Sequence, residues 1–250
     1  MSTLALSAVY TKYNLIETAR VPIAVIGSVV FPTLAFCMFV LPQGVVTADP
    51  TFATAAVASM VVFAFMASGL FSIGLELSEQ RSKPWAPYLR TLPGSAVARP
   101  IGLIAATLVI SLAAMIPLLV VGGLFTAARP GLMPMLAAIG LVVLTAVPSM
   151  LIGVVIGTAC GPKAAIAVTQ VAMFLLAFGG GLFLPPMLFP EWLDAASRVL
   201  PVRQAREIVL AAALGEAVPV WAALGIIAWT AALGVIAVWL SRRDEGRRFR

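Results

Sequence analysis

The sequence predicts an all-α integral membrane protein. It has six transmembrane helices, an N-terminal amphipathic interfacial helix and a short outer helical hairpin between spans 5 and 6. Three observations carry that prediction. Hydrophobic residues make up 62% of 250 positions and charged residues 10%, with a mean hydropathy of +1.08. A soluble domain carries about 25% charged residues, so this chain lacks the polar surface to coat a globule in water. Charge-free apolar segments occupy residues 21–41, 51–75, 100–125, 132–160, 164–184 and 218–240, and each reaches the roughly 20 residues that a bilayer-crossing helix needs. They lack the period-2 alternation of membrane β-barrel strands.

Residues 2–19 precede the first span. Leu6, Val9, Tyr13 and Ile16 fall at helical spacing while Lys12, Asn14 and Glu17 point elsewhere, a pattern that predicts a helix lying on the inner membrane face. The apolar run after Arg20 lasts 21 residues, too long for a signal-peptide core. Pro32, Pro117, Pro148 and Gly179-Gly180-Gly181 punctuate the spans, as kinks that neighbouring helices can tolerate. Segment 184–217 is too apolar for a solvated loop, and two short helical patterns, 190–199 and 203–214, each follow a proline. They read as a re-entrant hairpin at the outer interface, with Arg198, Arg203 and Arg206 partnered by Glu191, Asp194 and Glu207.

An even number of spans puts both termini on one side. With the termini in the cytoplasm, Lys12, Arg20, Arg81, Lys83, Arg90, Arg99, Lys163 and the five arginines after position 241 lie inside. Arg129, Arg198, Arg203 and Arg206 lie outside. The excess of basic residues on inner loops supports that orientation. It makes 76–99 a cytoplasmic loop and 241–250 a basic cytoplasmic tail that anionic lipids attract. The same excess accounts for the net charge of +6 and pI of 10.0 without a nucleic-acid partner.

Catalytic chemistry is sparse. Histidine is absent and the two cysteines, Cys37 and Cys160, sit in apolar runs, which excludes a His/Cys metal site and a histidine acid–base pair. No phosphate loop, GxSxG or HExxH motif is present. The spans carry no charge near their middle, unlike ion-coupled carriers, and Gln170 is the one strongly polar side chain within a span. No catalytic, cofactor or metal residue is therefore expected, and uphill movement of a solute would draw its energy from another chain.

Two stretches have a recognisable form. After span 2 stand Glu79-Gln80-Arg81 and Thr91-Leu92-Pro93; after span 5 the chain reads GGGLFLPPMLFPEWLDAASRVLPVRQAREIVLAAALG. With the interfacial helix and six spans, the chain resembles the permease subunit of a type-2 ABC exporter over essentially its whole length. The loop departs from the family pattern at Lys83-Pro84-Trp85 and at Leu92, which separates Thr91 from Pro93.

The resemblance implies a bacterial cytoplasmic-membrane exporter of drugs, antibiotics or lipid-like molecules. Two copies of a separate ABC ATPase subunit, which bind ATP and Mg, would drive it, and it would pair with a second permease copy or a paralogous permease. It also implies that a short helix in loop 76–99 docks on the ATPase. Trp85, Tyr88, Leu89 and Leu92 fall at i, i+3, i+4 and i+7, an apolar stripe one helix face wide, with a start near Pro87. The expected coupling set is Glu79, Arg81, Lys83, Trp85, Tyr88, Leu89 and Arg90; an interfacial helix with its aromatics in lipid is the alternative for the same residues. Phe63 and Met66 on span 2, with Gln170, Met173, Phe174 and Phe178 on span 5, are expected to line a substrate path by analogy. A polysaccharide or glycolipid exporter, and a motor-independent channel or scaffold, are the competing readings of the same spans.

Overall fold

The computed structural model of the protein describes residues 3–20, 22–85, 88 and 97–246. Every regular element among them is helical. In chain order these are α1 (Thr3–Arg20), α2 (Pro22–Phe39), α3 (Gly44–Ala48), α4 (Pro50–Ser68), a π-helical turn (Gly69–Ile73) leading into α5 (Gly74–Ser82), and α6 (Ala98–Phe125). There follow α7 (Leu132–Thr145), α8 (Val147–Ala159), α9 (Pro162–Gly179), α10 (Glu191–Ser197), α11 (Pro201–Leu214) and α12 (Val220–Gly246).

Among the described residues, five stretches are long and apolar enough to cross a membrane: Pro50–Ser82, Ala98–Phe125, Leu132–Ala159, Pro162–Gly179 and Val220–Arg243. The segment expected as the first span is helical over Pro22–Phe39, and within it Val30–Phe39 is a shorter apolar helix. In the 18-residue apolar window of Pro50–Ser82, 67% of residues are buried, against only 17% in that of Val220–Arg243, so α4–α5 is the axis of the bundle and α12 its edge. Phe63, Phe65, Met60 and Met66 are almost completely enclosed, as befits a helix that is apolar all round. At the perimeter the outward faces are equally greasy: Val109, Ile116, Val120 and Leu124 on α6, and Leu224, Ile227, Val235 and Trp239 on α12, are exposed. Apolar side chains on both the inner and the outer face of a helix fit a lipid surround, not water.

Element boundaries refine the sequence reading. Asp49 begins α4, its Oδ1 accepting from the Thr51 and Phe52 amides at 2.8 and 2.9 Å, with Pro50 in the first turn where its missing N–H costs nothing. The axis does not end at residue 75 but stays helical to Ser82, so the first part of the expected 76–99 loop is helix. The fourth span breaks at Ala146, because Pro148 has no N–H to continue the ladder. The fifth stops at Gly179. There Gly181, at φ +74°, closes a left-handed turn in which the Leu182 amide donates to Ala177 and the Gly181 amide to Phe178. The hairpin helices lie at Glu191–Ser197 and Pro201–Leu214, close to the expected patterns. Gly215 repeats the left-handed cap on α11, with φ +73°.

The tightest packing is where the axis crosses α8. A β-carbon on Gly153 would lie 2.3 Å from the Gly69 carbonyl oxygen, and one on Gly157 would lie 2.7 Å from that of Gly74. Gly69 and Gly74 are five residues apart, a spacing that an α-helix would point in different directions. The wider π turn between them, bonded i to i+5, brings both glycines to the α8 side.

The chain's turnarounds meet at two ends of the bundle. At one, the Ala127 amide donates to the Thr47 carbonyl at 2.8 Å, joining loops 40–49 and 126–131. At the other, α1 lies along the start of α6: Thr11 Oγ1 donates to the Gly102 carbonyl at 3.2 Å, and Arg99 stands 5.7 Å over the Tyr10 ring. Gly102 admits this contact, since a β-carbon there would meet Tyr10 Cβ at 2.5 Å. Val9, Tyr13 and Ile16 are exposed on α1, so the stripe expected to face lipid is left outward while Ser7 and Thr11 face the protein.

Candidate functional site

Three groups of side chains carry the candidate chemistry. The first lies at the end of α5. Thirty-three helical residues, Pro50–Ser82, rise about 50 Å, well beyond the ~30 Å of a bilayer's hydrocarbon. The charged tip therefore projects past the apolar layer. Arg81 reaches sideways: its Nη1 donates to the Gly157 carbonyl at 3.2 Å and also to that of Thr158. These are unsatisfied carbonyls at the C-terminal end of α8, where a cation is favoured by the helix dipole. Arg81 thus locks α5 to α8 directly below the glycine crossing. Glu76 accepts from Gln80, and Glu79 is exposed.

Lys83 Nζ sits 5.7 Å from the centre of the Trp85 ring, within cation–π range. Trp85 and Tyr88 are exposed by 55% and 65%, leaving two aromatic rings outside the core. Tyr88 is described as helical; Leu89, Arg90 and Leu92, the rest of the expected coupling helix, lie outside the described residues.

The second group is an aromatic seam. Phe183, just beyond the glycine turn that ends α9, is its hub, with ring centres 4.9 Å from Phe63, 5.3 Å from Phe178 and 6.3 Å from Phe39. Phe174 stacks on Phe178 at 6.3 Å. Centroids at these separations are in the range of favourable ring contact. Three expected path residues, Phe63, Phe174 and Phe178, thus converge on one strip. Phe174 and Phe178 are exposed, whereas Phe63 is buried behind Phe183. Met66 and Met173 are buried, and Gln170 is exposed on α9 one turn from Phe174. Phe183 and Phe39 were absent from the sequence-derived set. The signal available was weak: Phe39 is the last residue of α2 and Phe183 lies beyond the end of α9, where periodicity no longer says which way a ring points.

The third group gathers the arginines of the hairpin. Arg203 and Arg206 are each over 90% buried, because α11 is wedged against α4, α7 and α12, and of the three expected acidic partners Asp194 and Glu207 reach them. Arg206 Nη1 contacts Glu207 Oε1 at 2.7 Å and its Nε donates to Ser59 Oγ at 2.9 Å. Arg203 Nε lies 3.0 Å from Glu207 Oε1 and its Nη2 3.4 Å from Asp194 Oδ1. Asp194 also receives Arg198, at 2.7 Å. Glu207 therefore serves two guanidinium groups and Asp194 ties α10 to α11.

Ser59 stands ten residues into α4, about 15 Å along the helix. Charge consequently does enter the apolar bundle, carried by α11, which at 14 residues is too short to be a span. Burial lowers the pKa of both arginines from the usual guanidinium value, and Glu207 opposes the shift. Guanidinium groups start so high that both stay cationic. The legible signal was the i, i+3, i+4 spacing of Arg203, Arg206 and Glu207, which puts all three on one helix face. Two further ties hold the hairpin: Gln204 Nε2 donates to the Arg198 carbonyl at 2.9 Å, and Trp229 Nε1 on α12 donates to that of Val199 at 2.8 Å.

Comparison with protein-family models finds no family that matches the chain, and comparison with curated proteins finds no relative.

Proposed function

We propose that the protein is the permease subunit of an ATP-driven exporter, moving an amphipathic or hydrophobic substrate such as a drug, antibiotic or lipid-like molecule across the bacterial cytoplasmic membrane. In this reading Pro22–Phe39 is a sixth span, both termini are cytoplasmic, and a second permease completes the path. One observation carries the proposal: the projecting tip of α5, braced on α8 by Arg81, ends in the exposed rings of Trp85 and Tyr88. A brace next to a glycine crossing makes α4–α5 and α8 respond together to a push at the tip.

The axis moved by that lever carries Phe63 at the aromatic seam and Ser59 at the buried ion cluster, so a displacement at one end reaches both. The exposed rings of Phe174 and Phe178 suit an apolar or amphipathic cargo. ATP and Mg belong to the ATPase subunit, which pushes on Trp85, Tyr88 and Leu89 while Glu79, Lys83 and Arg90 offer charges for its surface.

Co-purification with candidate ATPase subunits, followed by ATPase assays in lipid, tests the proposal. Trp85→Ala with Leu89→Ala, and separately Arg90→Glu, are expected to release the ATPase or to cut its lipid-dependent stimulation about tenfold. Failure of every ATPase to bind, or wild-type behaviour of both variants, overturns the exporter reading in favour of a channel or scaffold.

A further inference from the structure

A separate feature lies near the end of the bundle where loops 40–49 and 126–131 meet. A cavity of about 240 Å³ opens there between α4, α6, α7 and α11. Val61, Met115, Leu119, Ile139, Val142 and Val209 form its walls. Two polar residues reach it. Thr54 spends its hydroxyl within its own helix, donating to the Pro50 carbonyl at 2.7 Å. Arg129 is the other, at the rim, and its Nη1 donates to the Gly123 carbonyl at 2.8 Å. The bond leaves four of the five guanidinium N–H donors for a ligand, and among the described residues no carboxylate forms an ion pair with Arg129.

We propose that this cavity holds an acyl chain of an anionic membrane phospholipid, with the headgroup phosphate on Arg129. The walls offer no hydrogen bonds, so water gains little by entering and an apolar chain gains much. An apolar cavity of about 150 Å³ holds one benzene, so this one takes roughly ten carbon atoms, a chain segment of acyl length. A guanidinium at the rim matches phosphate in geometry and charge. The approach is from lipid rather than water, because Ile116, Val120 and Leu136, which flank the walls on α6 and α7, are exposed apolar side chains.

A glycine keeps the space open. Gly122 is packed, since a β-carbon there would meet Val57 at 2.8 Å, but one on Gly123 would meet nothing within 4 Å. Gly123 also lines the cavity, and helix propensity disfavours glycine at such a position. A β-carbon there would therefore displace no neighbour, and a longer side chain starts from the cavity lining.

Native mass spectrometry of the delipidated full-length protein tests this, with phosphatidylglycerol and phosphatidylcholine of identical chains as probes. Wild type is expected to retain one phosphatidylglycerol per chain about tenfold more tightly than phosphatidylcholine. Arg129→Gln should bring phosphatidylglycerol down to the level of phosphatidylcholine, which weakens less because its choline cation already offsets the phosphate charge. Gly123→Leu should weaken retention of both lipids while thermal stability holds or rises, which separates a filled cavity from a misfolded chain. Equal retention of the two lipids by wild type, an unchanged preference in Arg129→Gln, or unchanged retention in Gly123→Leu would each overturn the assignment.

Discussion

Glu207 is the residue on which the interior charge balance turns. It is the shared partner of Arg203 and Arg206, at 3.0 and 2.7 Å, in a place where an uncompensated charge is costly. Glu207→Gln is expected to destabilise the protein by about 3 kcal/mol or more, read as a lower unfolding temperature of the purified chain in detergent. Ser59→Ala removes one acceptor from Arg206 and should cost about 2 kcal/mol. Glu216→Gln, at an exposed position, should leave the transition where it is. A Glu207→Gln protein as stable as wild type would mean that the arginines draw their compensation from elsewhere.

Between elements, the decisive contact is the crossing of α4–α5 with α8. Close packing there and open space on α7 give two glycine-to-alanine changes opposite signs. In Gly153→Ala the new methyl would collide with the Gly69 carbonyl, forcing the helices apart at a cost of about 3 kcal/mol. In Gly140→Ala the methyl enters open space, and the gain in helix propensity stabilises the chain by about 0.5–1 kcal/mol. Unfolding temperatures of the two variants, measured side by side, check both. Equal shifts would mean that α8 does not press on the axis through Gly153. The π turn is inseparable from this contact, because only its wider spacing turns Gly69 and Gly74 to the same side.

For the whole molecule, the alternating order of spans makes a sidedness prediction. With Cys37 and Cys160 replaced, single cysteines at Trp85 and Lys163 should react with a membrane-impermeant thiol reagent from the cytoplasmic side. Cysteines at Arg129 and Trp192 should react from the opposite side. Vesicles of known orientation decide the matter, and labelling of all four positions from one side would refute the topology. A further single cysteine at Lys12 tests helix Pro22–Phe39, since a chain whose first helix does not cross would put that position on the side of Arg129.

Composition and periodicity by themselves determined that the described residues are mostly helical, where five long apolar helices run, and that a pair of short helices follows the fifth expected span. Those properties depend on local side-chain chemistry and repeat length, which the sequence displays directly. Part of the aromatic seam was legible too, because Phe63, Phe174 and Phe178 lie within regular helices. The tertiary structure decided the rest. It placed Phe183 at the hub, turned Arg81 from the charged loop onto the carbonyls of α8, and buried Arg206 against Ser59, 147 positions away in the chain. Glu207 is a near neighbour in sequence, but Ser59 and the carbonyls of α8 come from elements distant in the chain, brought within hydrogen-bonding reach only by how the helices pack.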